Sequence, residues 1–549
     1  MKSLSDEAQR LLAKLGDDTS WVENIKRLFL KRHSVLLEMA KLGEPALIVY
    51  IVPFIGHPQL GPTAVRVIDE LAAGLTSREL MQLSFNGPAH IAFGTPWSWT
   101  RLRSPHKSWY ELEAGDVTLF DDGSSGTVWA LGLTANHGNG FVRQAALERL
   151  GRRRTGRELP FLLLRANDWV TQVRRLVLGL LEERLDPDYV EHFARNFFLV
   201  ERLLECGRAN HRPLVEAVSK LVFHPDHRGV LLDVVGDCDR WTARALLRCL
   251  VEHVPIDDHK LIAVFLGHSD LVTRTMAARW LVANASCDSL ATYLGRLKAD
   301  SASSIRKVFL YAVVDRFPEE IESSLQALLL DRSAAVRDAA RFYLRESEEI
   351  DSERTYRDAL GSESSRVLAI AIDGLVETKQ ADCLETIREH QTSEFVAVRK
   401  AVLRAIAAFG ASDEIDVFLK ALCSEEPGIS RTGRTCMAKR TRVSHQPMFE
   451  TILRETTWSH VERNVICLFG SFPRWQRLVA LLMVCEKFEC QRELVEDLIV
   501  AWNRDSLISF VRPNETVLRD IQQRLEACGH TLPGNLSRGL SRTVEIWSP

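Results

Sequence analysis

Apolar side chains recur along this chain at helical spacing, and the same stripe returns many times. Counting from Val336, apolar residues stand at Ala339, Ala340, Tyr343 and Leu344, which are offsets of three, four, seven and eight. The same offsets follow Val173 (Leu176, Val177, Leu180, Leu181), Ile305 (Val308, Phe309, Ala312, Val313) and Val398 (Ala401, Val402, Ala405, Ile406). Each set predicts an α-helix with one buried face. A second stripe accompanies most of them, such as Leu290, Tyr293, Leu294 and Leu297, or Ile415, Phe418, Leu419 and Leu422. Two amphipathic helices per unit cannot bury their faces alone, so neighbouring units must stack.

An arginine follows the first stripe residue in each clear copy: Val142-Arg143, Val173-Arg174, Ile305-Arg306, Val336-Arg337 and Val398-Arg399. Weaker copies place one at Arg212, Arg244, Arg274, Arg366, Arg431 and Arg463, so ten steps cover 320 residues with a mean of 32. Asp168, Asp300 and Asp331 stand six residues before the next such arginine, where a turn and a helix cap are expected. An arginine near a helix N-terminus opposes the macrodipole, and a turn carboxylate in the same or adjacent unit would compensate it. A ladder of such pairs along the array is therefore expected. The copies at Arg212, Arg366 (where Asp373 interrupts the stripe) and Arg431 (with Gly433 and Arg434 in apolar positions) depart from the phrase. They mark bends, weak joints or sites.

With its Val-Arg-x-x-Ala-x-x-x-Leu helix, the chain resembles the HEAT-repeat family, in particular the short bacterial, PBS-lyase-type form. The resemblance covers about residues 137–475, with an earlier copy at Ala64-Val65-Arg66-Val67-Ile68. It implies an all-α fold, a right-handed α-solenoid of about twelve two-helix repeats. It further implies a non-catalytic scaffold or adaptor that holds a protein partner along its surface. Two other classes stay open within the resemblance: a nucleic-acid-binding protein or enzyme like the HEAT-like alkylpurine DNA glycosylases, and a chromophore lyase subunit.

The ends differ from the middle. Residues 1–83 read as a helical cap, with helices over Ser5–Leu15 and Trp21–Lys41, and a first repeat. Residues 84–136 form an insertion rich in Trp, Gly and Pro, in which Val117–Phe120 and Thr127–Ala130 flank a Gly-Ser turn and fit a small β-hairpin. The repeats fill 137–512. Residues 513–549 hold a capping helix, Glu515–Cys528, then a tail with Pro533, Gly534 and Gly539 that is expected to be mobile.

Composition narrows the class without naming a partner. The chain has 549 residues, 46% apolar and 26% charged, with 70 basic and 73 acidic side chains and a formal net charge of −3. This balance argues against a surface wholly given to nucleic acid. The 11 cysteines are odd in number and include no C-x-x-C pair, which points to a reducing, cytoplasmic compartment and to no structural metal. The apolar run Ala46–Val52 ends at Pro53, far short of the ~20 residues of a membrane span. No P-loop, nucleophile elbow or dinucleotide fingerprint occurs, and no cofactor is expected. His224, Asp226 and His227, and His253 with Asp257, Asp258 and His259, lack the spacing of a zinc site.

Three segments are candidates for binding. Trp97, Trp99, Arg101, Arg103 and Trp109 concentrate residue types enriched at binding hot spots, although the same tryptophans would also serve as a plug for the core. Arg152, Arg153, Arg154 and Arg157 form one basic cluster, and Arg431, Arg434, Lys439, Arg440 and Arg442 another. Either suits phosphates, an acidic protein partner or plain solvent.

Overall fold

A computed structural model describes residues 4–16, 25–55, 59–84, 109–121, 123–124, 126–253, 259–345, 350–411, 414–489, 491–506, 512–529 and 531–547. These residues are helices and turns, with no strand among them. The chain forms two compact units, residues 1–308 and 309–549.

In the first unit, helices Asp6–Gly16 and Ile25–Leu42 pack on one another, and the second packs on Gly61–Ala72. That third helix is the early copy of the repeat phrase, and it buries Ala64, Val65, Val67 and Ile68. Residues 77–84 form a further helix that reaches across several later turns. Ser77 donates to the Asn196 side chain at 3.2 Å, and the Arg78 guanidinium lies 3.6 Å over the Trp241 ring. Helix pairs then follow, among them Thr127–Thr134 with Gly140–Gly151 and Leu159–Arg165 with Thr171–Glu182. The helix Gly140–Gly151 packs on Thr171–Glu182, its counterpart one unit on.

The second unit repeats the scheme. Ser365–Glu377 packs on Val396–Phe409, which packs on Pro427–Ala438, which packs on Ser459–Phe469. The apolar stripe accounts for the core: Val398, Ala401, Val402, Ala405 and Ile406 are fully buried. Two departures have packing reasons. A Cβ on Gly433 would stand 2.7 Å from the Leu422 nitrogen, so glycine there lets Pro427–Ala438 close on Ile415–Leu422. Asp373 turns outward and takes Arg404 of the next helix at 2.8 Å through both oxygens.

The structure corrects three expectations. Val117–Phe120 belongs to a 3-10 helix, Ala114–Phe120, and Thr127–Ala130 to an α-helix, so no hairpin forms there. Asp116 accepts from the Glu113 N–H, and Val117 and Phe120 are buried, which fixes helical rather than extended backbone. Tyr343, placed in the stripe, lies exposed beside Phe342, because Val336, Ala340 and Leu344 suffice to fill the interface. The tail forms a helix, Gly534–Trp547, that buries Leu536, Leu540 and Val544, a spacing of four hidden among glycines and polar residues. Its Trp547 ring meets Trp475, which also meets Trp502, and this aromatic group closes the end of the unit.

Candidate functional site: a cleft at an open joint of the ladder

The recurring arginine makes two kinds of bond. Its guanidinium reaches back to the carbonyls five and six residues earlier, fastening the turn that leads into its own helix. Arg143 donates to His137 and Gly138, Arg274 to His268 and Ser269, Arg306 to Asp300 and Ser301, and Arg399 to Ser393 and Glu394, at 2.6–3.0 Å. The rest of the fork pairs with a carboxylate of the following turn. Arg143 meets Asp168 through two bonds of 2.9 and 3.0 Å, Arg244 meets Asp270 at 2.8 and 2.9 Å, and Arg274 meets Asp300 at 3.1 Å. The acids also cap their own turns: Asp168 accepts from the Val170 N–H and Asp270 from the Thr273 N–H. The Arg244 side chain, with the Thr273 bonds, holds the Asp270 carboxyl well below the usual carboxylate range. The expected ladder is present.

Histidine occupies the turn at two of these joints in one geometry. The Nδ1 of His137 accepts from the Asn139 N–H at 3.0 Å and its Nε2 meets the Trp109 carbonyl at 2.7 Å. His268 accepts from Asp270 and meets the Cys238 carbonyl in the same way. Burial lowers the His137 pKa below the usual imidazole value, and the Arg143 charge adds to this, against two backbone bonds that raise it. A neutral ring, donating from Nε2, fits both contacts.

At Arg174 the ladder is open, as it is at Arg399, which among the described residues bonds only the Ser393 and Glu394 carbonyls. Arg174 donates to the Asp168 carbonyl at 2.7 Å and to the Thr171 hydroxyl, and it has no carboxylate partner among the described residues. The following turn, residues 206–211, reads Cys206-Gly207-Arg208-Ala209-Asn210-His211 and holds no acid. His211 is buried with its Nδ1 unbonded, and burial together with Arg174 keeps its pKa low. The departure seen in sequence at Arg212 is this joint.

Beside it lies a cleft of about 300 Å³, bounded by Ser84, Asn136, His137, Asn167, Leu163, Leu199 and Leu203 as well as by four arginines. Arg143, Arg165, Arg202 and Arg208 face a single lining carboxylate, Asp168, which Arg143 already holds. Arg165 stands 3.5 Å from Asp168, and its buried Nε has no hydrogen-bond partner. Arg208 is exposed and donates to the Asn167 carbonyl at 3.4 Å. At the rim the Trp169 ring is 65% exposed, with the Arg143 guanidinium 5.1 Å from its centre.

The candidate residues read from sequence are placed as follows. Trp97, Trp99, Arg101 and Arg103 lie outside the described residues. Trp109 is 8% exposed and packs edge-on against His137, so its ring is core rather than contact surface. Arg153 pairs with Asp121, Arg154 with Glu183 at 2.6 Å and Arg157 with Asp69, while Arg152 is exposed. In the second cluster Arg440 turns inward, donating to the Ala407 carbonyl at 2.7 Å and lying 5.1 Å from the Phe418 ring centre. The Nε atoms of Arg434 and Arg440 are buried without partners, Arg442 donates to the Thr441 carbonyl, and Arg431 is exposed. The cleft joins neither cluster. Its residues Arg165, Trp169, Arg202 and Arg208 carried no motif; the signal was the missing acid in 206–211.

Other polar groups in the core serve structure. Glu158 and Arg184 are fully buried and bonded at 2.9 Å, and Tyr189 donates to Glu158 at 2.7 Å. Burial alone would raise the Glu158 pKa, but the bonds from Tyr189, its own backbone and Arg184 leave it lowered. Burial pushes the thiols of Cys238 and Cys485 up to about 12 and that of Cys249 to about 11, so they are poor nucleophiles. Among the described residues no three His, Cys, Asp or Glu side chains cluster as metal ligands, and no helix is long and apolar enough to cross a membrane.

Stacked helix pairs joined by an arginine–aspartate ladder place the chain in the class of all-α, HEAT-like repeat proteins. Solved structures similar to it include the karyopherin Kap121p bound to the extreme C-terminus of the protein phosphatase Cdc14p, at 14% identity and a TM-score of 0.31 over 96% of this chain and 64% of that one. Importin beta in a polyethylene glycol condition is 13% identical, with a TM-score of 0.28 over 99% and 84% of the two chains. The Kap95:Nup1 complex is 11% identical, with a TM-score of 0.28 over 98% and 68%. The chain thus spans about 64% of the length of the Kap121p chain. No family model and no curated protein matches the sequence.

Proposed function

We propose that this protein is a non-catalytic scaffold that holds a protein partner through side chains exposed at the edge formed by helix N-termini within each unit. The observation that carries this is a recurrence of large exposed apolar side chains at that edge. In the first unit they are Phe141 and Trp169, with Leu271 and Val272 further on. In the second they are Phe395 and Trp458, 46% and 47% exposed, each standing three residues before the stripe valine of its helix. Core positions explain themselves by packing, but an aromatic ring repeatedly placed in water needs another reason. Exposed Phe and Trp at the starts of packed helices suit the anchors of a protein interface. The ion pairs of Arg153, Arg154 and Arg157 weigh against the nucleic-acid reading, since a phosphate would have to displace Asp121, Glu183 or Asp69.

The test is affinity capture with the full chain and with a Phe395→Ala/Trp458→Ala double variant. The variant is expected to melt as the parent does and to retain at least about tenfold less of the captured partner, since a lost hot spot costs about 2 kcal/mol. A folded variant that captures the same protein equally well rules this edge out.

A further inference from the structure

The cleft beside Arg174 gathers several arginines around one shared carboxylate. At Arg143, Arg244 and Arg274 each guanidinium meets a carboxylate of the next turn. Around the cleft, Arg165 shares the acid that Arg143 already grips in two bonds, and Arg208 reaches only a carbonyl. A buried guanidinium edge without a partner, at Arg165 Nε, is costly unless something supplies an acceptor. Residues 85–108, between Ser84 and Trp109, include Arg101, Arg103 and Lys107 and no aspartate or glutamate, so they bring no carboxylate of their own. A second carboxylate for these guanidiniums is therefore absent both from the described lining and from residues 85–108.

The geometry points to this cleft as the receptor for an acidic side chain of a protein partner, its carboxylate on Arg165 and Arg208 and an adjoining apolar residue on Trp169. This deepens the scaffold reading and rests on it. Arginine presents a planar fork that takes a carboxylate through two bonds, and a half-enclosed wall strengthens such bonds relative to open water. At about 300 Å³ the cleft sits at the low end of ligand pockets, suited to one anchoring residue and its neighbour rather than to a long chain. A nucleic-acid strand would need further free arginines along a track, and the flanking ones are held by Asp121, Glu183 and Asp69. An acidic residue next to an aromatic or aliphatic one meets both the charge and the exposed ring.

The probe is a phage-displayed library of random dodecapeptides, selected on the full-length chain. Retained peptides should be enriched several-fold in aspartate and glutamate, with an aromatic or aliphatic neighbour. Arg208→Glu removes an exposed guanidinium that contributes one long bond to the fold, so it should melt normally and lose the enrichment. Arg165→Gln should weaken a selected peptide, read by fluorescence anisotropy, by tenfold or more. Replacing the peptide's acids with their amides should do the same. Selection without acidic enrichment, or enrichment that survives Arg208→Glu in a folded protein, overturns the assignment. So does a labelled single-stranded oligonucleotide that binds more tightly than any selected peptide and is released by the same variants. A chain that still captures its partner through Phe395 and Trp458 but selects no acidic peptides sinks the cleft alone. One that selects acidic peptides and captures no protein sinks the scaffold reading instead.

Discussion

The joints that follow Arg143 and Arg174 are built from the same parts and differ in one. Both arginines sit one residue after a fully buried valine, and both tie down the turn six residues before them. After Arg143 the next turn brings Asp168, and the pair closes at 2% exposure for each side chain. After Arg174 the next turn brings Cys206, Arg208 and His211, and nothing closes. A repeat array needs the apolar stripe at every joint, because stacking of neighbours is its main source of cohesion. It does not need every rung of the ladder. One rung left open leaves positive charge facing a cleft, while the hydrophobic stacking on either side keeps the fold.

The largest way to break the contrast is to open the closed joint. Asp168→Ala strands Arg143, buried with no replacement acceptor for two of its bonds, and should cost about 3–5 kcal/mol. Denaturant unfolding checks the magnitude. Hydrogen exchange should show lost protection centred on residues 137–184 and little change in the second unit, since each repeat relies on its neighbours. Uniform loss across both units would contradict a repeat array.

A smaller effect separates closed from open joints by acid. The Asp270 carboxyl, held down first by its bonds from Arg244, has a folded pKa below its unfolded one. Its contribution is therefore complete above the ordinary carboxylate value, near pH 4, and is lost as the pH falls through the folded value. Arg244→Met should remove about 1–2 kcal/mol at pH 7 and flatten the decline of stability below about pH 4. Arg174→Met should leave that decline as it is, because its joint has no carboxylate to protonate. Unfolding midpoints measured from pH 7 to pH 3 on the two variants distinguish them.

The fold was legible because stacking imposes a period. Val173, Val336 and Val398 announce their helices by offsets of three, four, seven and eight, and each is fully buried. The ladder was legible in outline, since Asp300 stands where a carboxylate is needed and takes Arg274. Its substitutions were not. Arg337 pairs with Glu377, forty residues on, and the buried pair of Glu158 with Arg184 has no pattern in the sequence. Binding surface is harder still. Periodicity says which residues go inside and is silent about those left out, so Trp169 and Arg208 looked like any turn residues. The tryptophans of the insertion stood out by composition, yet the two among the described residues are packed, Trp109 against His137 and Trp129 against Phe161. The tail misled for the converse reason: Gly534 and Gly539 obscured a helix whose buried residues Leu536, Leu540 and Val544 stand four apart among polar ones.

The subtlest alteration is to close the open joint. Cys206 stands six residues before Arg212, as Asp168 stands six before Arg174 and Asp300 six before Arg306. It is half-buried, lines the cleft, and its thiol reaches only the Arg202 carbonyl at 3.5 Å. Cys206→Asp therefore places a carboxylate at the turn position that completes the rung elsewhere, in the cleft that Arg208 also lines. Two terms oppose each other in the stability change. Partial burial of a new charge is unfavourable, and one or two charge-assisted bonds to partly exposed arginines are favourable by about 1 kcal/mol or less. The net should lie within about 1 kcal/mol of the parent, readable as a shift of a few degrees at most in the melting temperature. The effect on binding should be much larger than the effect on folding, because the added acid competes for the guanidiniums that an incoming acidic residue would use. If the variant gains stability and still selects acidic peptides, the missing rung and the cleft are unrelated, and the open joint is only a weak point in the stack. If it melts as expected and the selection disappears, the same vacancy that interrupts the ladder is what makes the cleft a receptor.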